Sequence, residues 1–303
     1  MPLRDIDTAL LRTFLVLAET RSFSRTGERV GRSQSAVSGQ IKKLEDTVGR
    51  VLIRRTTRSV GLTADGEDLQ SYARRIIRTA DAMLDHYRGG EIVGEVRFGS
   101  PEDFASAYLP DLLGIFAAAH EHVSLHVSCD LTLRLLDQFE TGEQDLIIIK
   151  QDPAARHPGA RVLWREELVW VASRSEVMTF DEARNRYAAL ERPLPLVVSP
   201  PPCVYRRRAA VALDDRLVPW APVYSTQSHT GAVAAVKAGL GWAIMPRGMV
   251  PPDVAALDGH LGWPALAPAE IALVTAGRPT PAVAALASFV VEQAAGLSRR
   301  KPE

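Results

Sequence analysis

The spacing of apolar residues changes once along this chain, near residue 95, and that change dictates two different kinds of architecture. Before it, apolar residues recur at steps of three and four. After it, short runs of strand length alternate with helical stretches. In ALLRTFLVLAET, residues 9 to 20, Leu10, Leu11, Phe14, Leu15, Leu17 and Ala18 share one helical face. Ser24 is the expected cap of a second short helix over 25–30, and Gly31 permits a tight turn. Ser33 then caps a third helix running to about Val48. Its inward side is Ala36, Val37, Ile41, Leu44 and Val48, and its outward side Gln34, Ser35, Ser38, Lys42 and Glu45. Gly49 ends it, and VLIRRTTRSVGLT reads as a two-stranded ribbon with its tip near Thr56–Arg58. Residues 1–62 therefore read as a winged helix-turn-helix.

Thr63 opens a helix over 63–88. Along it Leu69, Tyr72, Ala73, Ile76, Ile77, Ala80, Met83, Leu84 and Tyr87 form one continuous apolar stripe. A single stripe of that length needs a partner surface, and its own copy in a second subunit is the simplest one. Gly89-Gly90 breaks the helix. From there to residue 303, EVRFGS, SLHVSCD, DLIIIK, ELVWVAS and LPLVVSP are strand-like, with helices between them such as 106–119, 132–141, 203–213 and 229–239. This is α/β grammar, predicting a mostly parallel sheet with helices on both faces. Some 200 residues fit two lobes better than one. The boundaries expected are lobe I at about 89–164 with 276–303, and lobe II at about 165–275.

The chain is neutral overall, but its charge is not evenly spread. Between residues 21 and 60 lie ten basic residues and three acids, a net charge of +7, so the remainder of the neutral chain has a net charge of −7. A charge run is usually a solvated face. Combined with cap, turn and ribbon, this one has the footprint of a nucleic-acid reader joined to a second module. Only two cysteines occur, Cys129 and Cys203, which is no disulfide framework and suits a reducing cytoplasm. No apolar run approaches the roughly 20 residues needed to span a bilayer, and MPLRDIDTALL does not read as a secretory signal, so no membrane partner is expected.

The segment SFSRTGERVGRSQSAVSGQIKKLEDTVGRVLIRRTTRSVGLTADGE resembles the DNA-binding module of LysR-type transcriptional regulators. The matching elements are SFS before the second helix, SQ-x-A-V-S opening the third, K-x-LE-x-x-x-G closing it, and LTADGE starting the long helix. Leu109-Pro110, TGEQDLIII and AVAAVKAGLGWAIMP are similar to that family's effector domain. Three positions depart from the family pattern. Gly27 stands where a small helix former is common, at a cost of about 1 kcal/mol in propensity against Ala. Gly39 stands where an arginine or glutamine often reaches DNA, and Gly61 replaces a frequent arginine on the wing. The resemblance implies a cytoplasmic, DNA-binding regulator, dimeric or tetrameric through the linker helix. It implies a periplasmic-binding-protein-like effector domain, with double-stranded promoter DNA, a small-molecule effector and RNA polymerase as partners.

A recognition helix must enter a groove about 12 Å wide, which favours short side chains or those that form paired hydrogen bonds. Gln34 matches adenine N6 and N7, while Ser33, Ser35 and Ser38, with Ser24 on the preceding helix, reach base edges or phosphates. Lys42, Lys43, Arg54 and Arg55 suit phosphates, and Arg58 at the wing tip suits a narrow minor groove. In the α/β body, ligands gather at the carboxyl ends of strands. That places Ser100, Pro101, Asp103, Thr132 and Lys150 on one lobe and Pro202, Cys203, Val204 and Ser228 on the other. Ser100 and Thr132 read equally well as helix caps, and Lys150 as a solvated strand end.

Four rival readings compete with this one. A thiol-based redox sensor would use Cys129 and Cys203, whose bonding would require the lobes to close. His120, Glu121, His122 and His126 lack the spacing of a zinc site and fit a turn into an edge strand better, so no metal or cofactor is expected. No G-x-S-x-G, phosphate-loop or G-x-G-x-x-G motif points to an enzyme. A freestanding solute-binding protein would leave the basic module unused.

Overall fold

The structure, a computed structural model, describes residues 5–55, 60–88, 92–257 and 259–297. The chain forms two compact units, one built mainly of residues 1–91 and the other mainly of the remainder.

In the first unit, α1 (Thr8–Thr20) is capped by Asp7, whose carboxylate accepts the Ala9 N–H. Helix α2 (Phe23–Val30) starts earlier than the sequence suggests. Its cap is Ser22, not Ser24, because Phe23 must sit in the first turn to reach the core. Gly31, left-handed at φ 65°, ends α2, and Ser33 caps α3 (Gln34–Val48) by accepting the Ala36 N–H. Val37, Ile41 and Leu44 of α3 are fully buried against Leu10, Leu11, Phe14 and Leu17 of α1. Strands β1 (Ile53–Arg55) and β2 (Val60–Leu62) pair antiparallel, and the expected tip with Arg58 lies outside the described residues.

Helix α4 (Ala64–Arg88) is not a separate module joined to this core. Its Ala73 and Ile77 are buried within it. Its entrance is fixed by Thr63, whose hydroxyl donates to the Val51 carbonyl and accepts the Gly66 N–H. Gly66 approaches the Leu52 carbonyl so closely that a Cβ would lie 2.2 Å from its oxygen.

The second unit has two lobes. Lobe I is a five-stranded sheet in the order β4-β3-β5-β12-β6, from β3 (Gly94–Ser100), β4 (Val123–Cys129), β5 (Leu146–Gln151), β6 (Arg161–Glu166) and β12 (Ala269–Thr275). The single helix expected over 106–119 is two, α5 (Glu102–Ala107) and α6 (Leu109–Ala119), broken at Tyr108 before Pro110. Lobe I also holds α7 (Thr132–Glu140) and α11 (Pro281–Leu297). Lobe II contains β7 (Leu168–Ser173) between β10 (Ala243–Pro246) and β11 (Val254–Leu257), and β8 (Leu194–Val198) paired with β9 (Trp220–Ser225). A bridge between Leu196 and Trp242 joins the two strand groups. Around them lie α8 (Phe180–Ala189), α9 (Val204–Asp214) and α10 (His229–Lys237).

Neither sheet is mostly parallel. Pairs β3–β4, β3–β5 and β8–β9 are parallel, but β12 runs antiparallel to β5 and β6, and β10 and β11 antiparallel to β7. The cause is the double crossing: β7 follows β6 directly into lobe II, and the chain returns before β12. That return also moves the boundary, since β12 belongs to lobe I and lobe II ends before residue 269 rather than at 275.

Two glycines of α2 and α3 respond oppositely to a methyl group. A Cβ on Gly27 would meet the Arg32 carbonyl oxygen at 2.5 Å, whereas around Gly39 there is open space. Gly27→Ala should therefore lower folding stability, and with it the melting temperature, despite its better helix propensity, the crowding costing about 1–3 kcal/mol of that stability. Gly39→Ala should raise folding stability by about 0.5–1 kcal/mol. Calorimetry giving shifts of the same sign for both would contradict this packing.

Candidate functional site

The outward face of α3 carries exposed Gln34, Ser35, Lys42 and Lys43, with Ser38 partly buried. Gln34 Oε1 accepts the Ser24 hydroxyl at 3.2 Å, so Ser24, though no cap, lies beside the first turn of α3. The Ser33 and Ser35 hydroxyls are 2.9 Å apart. Arg55 donates to the Ser38 hydroxyl at 3.2 Å, with its guanidinium 4.2 Å from the Phe23 ring centre. That stacking fixes a long cation against α3 without neutralising it. Arg54 is exposed beside it. Glu45 does not belong to this face: its carboxylate accepts the Leu52 and Ile53 N–H groups and ties the ribbon to α3.

The lobes of the second unit enclose a cleft of about 940 Å³. Pro101, Asp103, Thr132, Lys150, Pro202, Cys203, Val204 and Ser228 all line it. Ser100 does not; it is fully buried, and its hydroxyl donates to the Pro101 carbonyl. Thr132 Oγ1 accepts the Lys150 N–H, and Ser228 caps α10 by accepting the Gly231 N–H.

Lys150 lines the cleft but is not a solvated strand end. It is ion-paired with Asp103, both side chains being nearly buried, and its Nζ lies 4.0 Å from the Tyr205 ring centre. The Tyr205 hydroxyl donates to the Glu166 carboxylate. Burial is the main cause that raises the Glu166 pKa, opposed by Lys150 and the Tyr205 hydrogen bond. Burial and then Glu166 push the Tyr205 phenol well above its ordinary value. Glu102 accepts the His229 N–H at 2.6 Å, joining α5 of lobe I to α10 of lobe II. Sequence reasoning missed Tyr205, Glu166 and Glu102. The one signal for Tyr205 was an aromatic residue inside VYRRR; the two glutamates gave none.

Residues 8–67 match the bacterial regulatory helix-turn-helix family of the lysR type, and residues 89–295 match the LysR substrate binding domain. The chain is 36% identical over 290 residues to the HTH-type transcriptional regulator DgdR of Burkholderia cepacia, covering 95% of this chain and 94% of that one. The chain belongs to the LysR family of transcriptional regulators. Its fold is shared with ArgP from Mycobacterium tuberculosis, at 20% identity and a TM-score of 0.74, with 96% of this chain and 98% of that one covered. It is shared too with full-length CbnR complexed with its target DNA, at 20% identity and a TM-score of 0.60, covering 95% and 100%.

In this LysR-type regulator both cysteines border the cleft, Cys129 at the end of β4 and Cys203 as the residue before α9. Burial, then the charge of Glu102, raises the Cys129 pKa, which lowers its thiolate fraction. Among the described residues, no group of three or more His, Cys, Asp or Glu side chains is arranged to hold a metal ion. His120 packs on Phe116 with ring centres 4.4 Å apart, and β4 is indeed an edge strand.

Glu270 of β12 is fully buried and accepts from Arg156 at 2.6 and 2.8 Å, from Arg165 at 3.0 Å and from Gln151 at 3.3 Å. The Arg156 hydrogen bonds come first in pulling its carboxyl from 4.5 down to about 2, against the effect of burial. A lowered folded-state pKa contributes stability above the unfolded value that is lost as pH falls through the folded one. Glu270→Gln should therefore lower the melting temperature by several degrees at neutral pH. The gap from wild type should close between pH 4.5 and 2. A gap of constant size across that range would show that the arginine clamp contributes nothing through charge.

Proposed function

We propose that this regulator reads promoter DNA with the outward face of α3 and answers to a small molecule held between its effector lobes. The observation that carries the reading is the split of α3 into two faces. Val37, Ile41 and Leu44 are fully buried, while Gln34, Ser35, Lys42 and Lys43 face outward beside an arginine held on Phe23. Gln34, Ser35 and Ser38, with Ser24 and Ser33 at the helix entrance, contact bases and nearby phosphates. Lys42, Lys43, Arg54, Arg55 and the wing residue Arg58 grip the backbone. A structural relative, CbnR, is solved on its target DNA. The mostly apolar cleft with a few converging polar groups is of the size that encloses a small effector. The protein acts by binding rather than turnover, in the cytoplasm, with RNA polymerase as its further partner.

The chain works as a dimer or tetramer joined through α4. Tyr72, Ile76, Met83 and Leu84 are exposed on that helix at 54%, 39%, 55% and 47%, while Ala73 and Ile77 point into the winged core. Among the described residues the apolar stripe of α4 is thus covered by the winged core at Ala73 and Ile77 and left exposed at Tyr72, Ile76, Met83 and Leu84.

Genome-wide capture of bound fragments tests the whole reading: a shared two-fold motif is expected, and fragments with nothing in common would sink it. On a captured site, Gln34→Ala should relax base discrimination. Lys42→Ala should weaken all duplexes alike and flatten the salt dependence by about one unit of slope. Equal losses on specific and random DNA for Gln34→Ala would remove its reading role. Ile76→Asp combined with Leu84→Asp should turn the oligomer into monomers in sedimentation velocity and cost most of the operator affinity. A doubly substituted protein of unchanged size would reject pairing through α4.

A further inference from the structure

Among the described residues, polar contacts from Tyr205, Arg208 and Glu102 join the lobes of the effector domain using the chain's own groups. The Tyr205 hydroxyl of α9 donates to Glu166, the last residue of lobe I before the first crossing. Arg208, also on α9, pairs with Asp152 beyond β5 at 2.8 Å, and donates to the Pro268 carbonyl as well. Glu102 of α5 accepts the N–H of His229 at the start of α10.

These contacts differ in how firmly they are held. Tyr205 is buried among Leu168 and Ala269 of the two crossing strands and covered by Lys150. Together with Glu166 it forms a pin at the hinge. Arg208 is only 13% exposed and anchored twice. Glu102 makes one charge-assisted bond, from a partly buried position bordering the cleft. Its counter-charge is the positive end of α10. Of the three it is the contact most readily exchanged for another acceptor.

We propose that Glu102 is a releasable latch. In the arrangement seen here its carboxylate holds α10 of lobe II against α5 of lobe I. A ligand that separates the two frees lobe II to turn about the Tyr205–Glu166 pin, which shifts the lobe angle between two populations. This inference rests on the reading of the cleft as the effector site.

The test uses the ligand-free, full-length protein, with Cys203 as a built-in reporter because it borders the cleft and is only partly exposed. Maleimide labelling of Cys203 is followed by mass spectrometry, alongside deuterium uptake over residues 229–232. In Glu102→Ala the Cys203 rate should rise about tenfold and uptake at the first turn of α10 should quicken, with cooperative melting retained. Glu102→Gln, which keeps the shape but removes the charge, should give a smaller rise in both, and it decides the matter if the alanine variant fails to fold. Faster uptake in α10 with an unchanged Cys203 rate would reduce Glu102 to a local helix cap and overturn the latch, as would no change in either. No effector enters these measurements. A rigid cleft rejects the latch alone, whereas a cleft that binds nothing in a small-molecule screen rejects the effector reading alone.

Discussion

Val37, Ile41 and Leu44 have no solvent exposure, and the outward face of α3 depends on that burial. A fully buried aliphatic side chain contributes roughly 1.5–3 kcal/mol. Three of them in line therefore outweigh the helix propensity forgone by the serines and glycine on the other side. The cost of making α3 polar, small and groove-shaped is met by its inner face. The same core takes Ala73 and Ile77 from α4. The winged module and the long helix are thus one folding unit, and severing the chain at residue 63 would strip the core of two members.

The effector cleft follows a different economy. Several charged groups that line it are satisfied from behind the wall or from within it: Lys150 by Asp103, Arg156 by the buried Glu270, and Asp152 by Arg208, while Glu166 behind the wall accepts from the Tyr205 hydroxyl. Buried charges without partners would cost several kcal/mol each, which is why these ions are answered from within the chain. What it presents to a ligand is then mainly apolar wall and a few hydrogen-bonding groups. Opening or reshaping it means trading these internal partners for others.

Much of this was legible in the sequence. The order of elements in the winged module, the caps Ser33 and Thr63 and the strand runs are local properties of spacing and side-chain chemistry. Gly27 marks the limit of such reading. By propensity it looked like a small loss, yet the Arg32 carbonyl lies where a methyl group would sit, and the partner is five residues away in a different turn. Ser24 failed as a cap for a similar reason, since the core's demand for Phe23 moved the helix start. Tyr205, Glu166 and Glu102 escaped notice because each acquires its meaning from a partner at least 39 positions distant.

The sequence by itself determined the modules, their order, the polar and apolar faces of α3 and the family, because periodicity, caps and turn residues act within a few positions along the chain. Only the tertiary structure decided which strands run antiparallel, where the lobes exchange the chain and which cation meets which carboxylate. Those outcomes depend on a double crossing between two sheets. Such a crossing brings together Glu102 and His229, or Arg156 and Glu270, which no local spacing relates.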